Sequence, residues 1–211
     1  MAIPTLGYVH LLSFLFPAFV GIRNYAKMDR PMRLLTLLCI FAVVNIVVQF
    51  LLGRWGIRNH IVSDYYRVLE VSLLCGVFWL SVTQQRVRKV MVILAMLFVL
   101  AWFVDLVLSN GHQRLNNEMA MTSRMVLLVM SLTTLYAELR NERTSLAERS
   151  VFWVSTAVAL YTAGTFLVLA FSNYLLVLGR TYFDVAWHIN WALLIAANLM
   201  YTKGMMCKPQ A

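Results

Sequence analysis

The chain's most chemically capable residues stand together at Tyr66, Arg67 and Glu70, where the polar stretch 59–65 runs into residues 71–82, which carry no charge at all. On a helix, Arg67 and Glu70 are i,i+3 neighbours and Tyr66 and Glu70 are i,i+4 neighbours, so one face can present all three and let them satisfy one another. At about 1.5 Å of rise per residue, a helix starting near Ser63 takes Glu70 one to two turns below the lipid boundary. A carboxylate at that depth costs roughly 2 to 3 kcal/mol unless it is paired, protonated or facing water, which marks it as a site candidate. Two uses are open to it. Arg67 and Glu70 form a structural ion pair that pins one helix to another, or they contact a ligand or substrate.

Further side chains capable of binding sit at similar depth in other apolar segments. Asn45 and Gln49 lie one turn apart, Asp105 lies near the end of its segment, and Arg124 lies at the start of the next. Asp184, His188 and Trp191 open the last segment, and Asp184 is placed either to hold the His188 imidazole in one tautomer or to cap its helix. The candidate ligand-binding set is Glu70, Arg67, Tyr66, His188, Asn45, Gln49, Asp105 and Trp191. Trp55, Trp102 and Trp187 join Tyr66 and Trp191 as aromatic walls or belong to an interfacial aromatic belt.

Composition dictates what holds these residues. Of 211 residues, 61% are hydrophobic and only 13% charged, with a mean hydropathy of +0.74, far above a soluble domain. The chain therefore reads as an integral membrane protein of all-α class. With about 20 apolar residues per span, it forms one domain of seven transmembrane helices at about 6–22, 34–52, 62–83, 90–108, 122–139, 150–174 and 184–202, the first broken by Pro17. The first span carries no basic residue before its apolar run, which suits an uncleaved first helix rather than a signal peptide.

Lys and Arg at the joints set the expected orientation. One side holds Arg23, Lys27, Arg30, Arg33, Arg86, Arg88, Lys89, Arg140, Arg143, Arg149, Lys203 and Lys208, and the other holds Arg54, Arg58, Arg67, Arg114, Arg124 and Arg180. The richer side is expected in the cytoplasm, with the N-terminus outside and the C-terminus inside. The basic excess is thus a membrane signal, and no nucleic-acid partner is expected. In this topology the polar residues named above all gather in the outer half, where they predict an outward-facing polar cavity. The loop 109–121 on that side is either a lid or a solvated connection.

Several chemistries lack their spacing. Lys203 is too near the inner end for a retinal linkage, and no P-loop, GxSxG or HExxH motif is present. Cys39, Cys75 and Cys207 form no zinc pattern and read as buried apolar groups. His10, His60, His112 and His188 all fall on or near the outer side, which leaves a metal or haem site open; no cofactor is legible.

The runs 28–35 (MDRPMRLL), 56–59 (GIRN) with 66–70 (YRVLE), and Phe152-Trp153 leading to Tyr161, Gly164 and 171–174 (FSNY) resemble a family of small seven-helix bacterial inner-membrane proteins of uncharacterised activity. The resemblance covers nearly the whole chain. It implies the same topology, location in the bacterial inner membrane and a role near signalling systems; Asn45 stands where that pattern as often has an acidic residue. The expected function is receptor-like or sensory: a small ligand binds in the outer pocket and helix movement reports it to a signalling protein at the basic inner loops. The alternatives are an enzyme acting on a lipid or other amphiphile, with Glu70 or His188 as acid/base, and a proton-coupled carrier in which Glu70 titrates.

Overall fold

The joint before the second apolar run shows how tightly this sequence specifies its helix ends. Asp29 adopts an extended backbone and its carboxylate accepts a 3.4 Å bond from the Met32 amide, capping a helix in whose first turn Pro31 sits, where its missing N–H costs nothing. Arg33 then folds back, donating to the carbonyls of Met28 and Ala26 at 3.0 and 3.3 Å. The buried Met28 receives the Thr36 hydroxyl on its sulfur at 3.6 Å. The run 28–35 that carries the family resemblance is therefore a helix-start clamp.

A computed structural model describes residues 5–56, 60–108, 117–140 and 145–207. Among them every regular element is helical: α1 (Thr5–Ser13), α2 (Leu15–Asn24), α3 (Arg30–Arg54), α4 (His60–Ser81), α5 (Gln85–Leu108), α6 (Asn117–Leu139), α7 (Ser150–Leu178) and α8 (Arg180–Met206), with short 3-10 turns at Tyr25–Lys27 and Leu146–Glu148. The expected first span is split. The helical hydrogen-bond ladder is interrupted at Phe14, which keeps helical dihedrals (φ −67°, ψ −24°), because Pro17 has no N–H for the Ser13 carbonyl and its ring crowds that turn. The remaining helices overlie the six later expected segments, each starting at or before its expected first residue, while α4 ends two residues early. Residues 109–116 of the expected outer loop, and 57–59 of the GIRN run, lie outside the described residues.

Among the described residues five stretches are long and apolar enough to cross a membrane: Leu6–Lys27, Arg30–Arg54, Gln85–Val107, Glu118–Leu139 and Ser150–Ser172. Helices α4 and α8 are as long, but Asp64, Arg67 and Glu70 charge the first, and His188, Asn190 and Asn198 dilute the second. The helices pack as a closed ring in which α2 meets α3, α3 meets α4, α4 meets α6, α6 meets α7, α7 meets α8, and α8 returns to α1 and α2. Helix α5 lies outside, packed chiefly on α4 and α6, and only 11% of its apolar window is buried. Its outward face and those of the other helices are apolar, with Phe19, Phe103 and Val107 each more than half exposed, as suits lipid contact.

Two glycines fix the joints. A Cβ on Gly21 of α2 would lie 2.6 Å from the Thr36 side chain of α3, so only glycine permits that crossing. Gly179, at φ 136°, is at once the end of α7 and the start of α8; its backbone region is essentially closed to other residues.

At the Asp29 cap, burial outweighs the Met32 amide and the nearby Arg33 charge and holds the carboxyl above its usual value. A raised folded value means that the folded state favours the protonated acid, so that contribution to stability is complete at low pH and is lost as pH rises through the folded value. Asp29→Asn keeps the cap without the buried charge. It is expected to unfold at higher temperature than wild type at pH 7, with the gap closing toward pH 4 in detergent-solubilised thermal melts.

Candidate functional site

Three helices contribute to one charged centre. Glu70 of α4 and Arg124 of α6 are both buried, and a single guanidinium nitrogen, Nη1 of Arg124, lies 2.9 Å from each Glu70 oxygen. The guanidinium also stands 4.7 Å over the Tyr161 ring of α7, a cation–π contact strengthened by desolvation. The direct packing of α4 on α6 brings these residues together.

This corrects the expected pairing of Arg67 with Glu70. Arg67 instead forms its ion pair with Asp64, one turn upstream on the same helix. Helical side chains lean toward the N-terminus of their helix, which carries Arg67 back toward Asp64, while α6 supplies Glu70 with a cation of its own. The face of α4 thus reads Asp64, Arg67, Glu70 at three-residue steps, completed by Arg124 across the helix interface.

The ring closes around a cavity of about 340 Å³ beside this centre, and all of its helices except α2 line it. Phe14, the residue between α1 and α2, lines it together with His10 of α1. Tyr66, Arg67 and Glu70 of α4 line it, as do Asn45 and Gln49 of α3, joined to each other by a 3.0 Å bond from the Gln49 amide to the Asn45 oxygen. Five of the eight expected ligand-binding residues therefore surround one space. Two interhelical hydrogen bonds brace its other walls. The Thr165 hydroxyl of α7 donates to the Asn190 side chain of α8 at 2.8 Å, and the Asn198 amide of α8 donates to the Ser13 hydroxyl of α1 at 2.8 Å.

The other three expected residues lie elsewhere. Asp105 is on the peripheral α5 and does not line the cavity. His188 packs its ring edge against Trp191, with centroids 5.2 Å apart. Trp191 stands one layer back, stacked at 14° on His10, which does line the cavity. Asp184 is exposed four residues into α8 and neither holds His188 nor caps the helix, since Gly179 occupies the cap position. Of the five aromatic walls expected, Tyr66 and Trp187 line the cavity, whereas Trp55 is 70% exposed and Trp102 packs on Tyr65.

Sequence reasoning counted Arg124 among the outer-half polar residues but left it out of the ligand-binding set, and it did not assign Asn190, Asn198, Ser13 or Tyr201 to the site. Matching depth was the available signal for Arg124, the one basic residue inside α6 close to the level of Glu70. His10 was legible only as one of four outer histidines. Its Nε2 is buried without a hydrogen-bond partner among the described residues, a costly state for a polar atom. Among the described residues no three His, Cys, Asp or Glu side chains are grouped as a metal ion requires.

Removing one member of a buried pair strands the other charge, at about 3–5 kcal/mol, whereas replacing both by apolar groups costs far less. Glu70→Leu and Arg124→Leu are each expected to lower thermal stability sharply, and the double variant to recover most of the loss. A double variant no more stable than either single one would show that the pair does not couple α4 to α6.

No protein-family model matches the chain, and no curated protein or solved structure matches it either.

Proposed function

We propose that this chain is a receptor-like membrane protein of seven spans, counting α1 and α2 together as one, with its N-terminus outside, its C-terminus cytoplasmic and a ligand pocket in the outer half of the bundle. The observation that carries this reading is the cavity with Arg67, Glu70 and Arg124 in its wall. Charged side chains held among apolar helices mark functional centres, and a volume of about 340 Å³ falls in the range of small-molecule sites, roughly 300–1,000 Å³. The cavity lies toward the ends where α4, α6 and α8 begin and α3 and α7 finish, which the basic joints assign to the outside.

Binding is favoured over acid–base catalysis by the state of Glu70. Both of its oxygens accept from Arg124, so its partner is fixed and neither oxygen is left unengaged. In this reading the ligand competes for that pair or adds to it. The relative placement of α4 and α6 changes, and the change reaches the basic joint at 140–149, where a cytoplasmic or membrane partner in the bacterial inner membrane reads it.

Orientation is tested with a membrane-impermeant maleimide. Cys207, just beyond α8 and partly exposed, is expected to react in inverted vesicles and to stay unlabelled in intact spheroplasts; labelling in spheroplasts would reverse the topology. The pocket is tested by screening small polar molecules for thermal stabilisation of the purified protein. Hits are expected to lose at least tenfold in affinity with Glu70→Gln and with Arg67→Gln, and unchanged responses in both variants would remove these residues from the site.

A further inference from the structure

Arg67 and Arg124 each commit one nitrogen to a carboxylate, Nη1 to Asp64 and Nη1 to Glu70. The Nε and Nη2 groups of both make no hydrogen bond with the described residues, and both side chains line the cavity. Among the described residues Glu70 is the one carboxylate in that lining, and Asp64, which pairs with Arg67, is not part of it. Guanidinium N–H groups left without a hydrogen bond in the wall of a recess match an oxyacid, whose paired oxygens accept from them in a planar fork.

A second space adjoins this one. An apolar groove of about 740 Å³ opens on the outer face of the bundle between α2 and α3. The break between α1 and α2 forms part of both spaces, with His10 and Phe14 on the cavity and Leu12, Leu15 and Phe16 on the groove. Helix α3 does the same, with Ala42 and Asn45 facing the cavity and Val43 and Val44 facing the groove. The tightest crossing of α2 on α3, at Gly21 and Thr36, lies toward the opposite end of the bundle, away from the α1–α2 break. The polar recess and the lipid-facing groove are thus separated by a single helix joint, and α2, which starts there at Phe14, has no side-chain cap.

Resting on the pocket reading above, we propose that the ligand is a single-chain amphiphile whose acidic head, a carboxylate or phosphate, binds the free N–H groups of Arg67 and Arg124 while its alkyl tail passes the α1–α2 break into the α2–α3 groove. Such a molecule reaches the site from the bilayer with its chain already in hydrocarbon, and the head alone exchanges environment. Free fatty acids and lysophospholipid acids share this chemistry.

The test uses the full-length protein in nanodiscs of neutral lipid, with thermal stabilisation and tryptophan fluorescence as readouts. The probes are dodecyl phosphate, dodecanoate, butyl phosphate and dodecanol. Dodecyl phosphate or dodecanoate is expected to bind saturably and at least tenfold more tightly than butyl phosphate, and dodecanol is expected to give no saturable response. Arg67→Gln is expected to weaken the long-chain acid at least tenfold. Val44→Trp fills the groove from a half-exposed position outside the bundle core and is expected to weaken the long-chain acid without touching butyl phosphate. Equal affinity for butyl and dodecyl phosphate, both indifferent to Val44→Trp, overturns the tail assignment and leaves the pocket standing. Dodecanol binding as tightly as the acids overturns the acidic head. If no acid binds, and polar hits from the screen are also indifferent to Glu70→Gln and Arg67→Gln, this inference and the pocket reading fall together.

Discussion

Placing opposite full charges between two helices in a low-dielectric bundle is the constraint to which the rest of this structure answers. Each ion alone would cost several kcal/mol after relaxation, so Glu70 and Arg124 must meet with good geometry, and they do so only if α4 and α6 pack directly. That contact leaves no place in the ring for α5, the helix between them in the chain, and it becomes an outrider with most of its surface turned outward. Closure of the ring by α1, α2 and α8 then leaves a space beside the pair instead of a filled core. Tyr161 covers the Arg124 guanidinium from α7, so the electrostatic centre ties together three consecutive members of the ring.

Around that centre the polar side chains come in bonded couples. Asn45 with Gln49, Thr165 with Asn190 and Ser13 with Asn198 each satisfy part of their hydrogen-bonding capacity locally. Side-chain bonds across helices hold a membrane bundle together by modest amounts, about 0.6 kcal/mol on average, yet each also keeps a wall residue in a fixed rotamer. The cavity is therefore framed by preorganised groups, and the two arginines keep guanidinium N–H groups that make no hydrogen bond with the described residues. A ligand binding there meets a surface with little side-chain entropy left to lose.

The helical class and the gathering of Tyr66, Arg67, Glu70, Asn45 and Gln49 in one space were legible because depth and helical spacing are local properties of sequence. The partner of Glu70 was not, because i,i+3 spacing ranks Arg67 first, and nothing in a single chain says that α4 and α6 are neighbours across α5. Asp105 was over-read for the same reason: its depth matched the site, but ring order put its helix outside. His188 and Trp191 missed the cavity by one layer, since His10 of α1 occupies the place their position on α8 suggested. The split of the first span followed from Pro17. What that split does, separating a polar recess from an apolar groove, required the packing.

Arg149 carries a consequence for how the charge of this protein is counted. Its side chain is 1% exposed and donates to the Glu138 carbonyl at 2.6 Å, with the Glu138 carboxylate 3.7 Å away. Arg33 and Arg88 likewise fold onto backbone carbonyls at the same end of the bundle. In the orientation proposed, these residues act as cations toward the insertion machinery while the chain is still extended, and much of that positive character is internalised once the bundle forms. The field met by anionic lipid headgroups, or by a docking protein, is then weaker than the sequence advertises. It is concentrated on the basic residues that stay at the surface, Arg23, Lys27 and Arg140 among them.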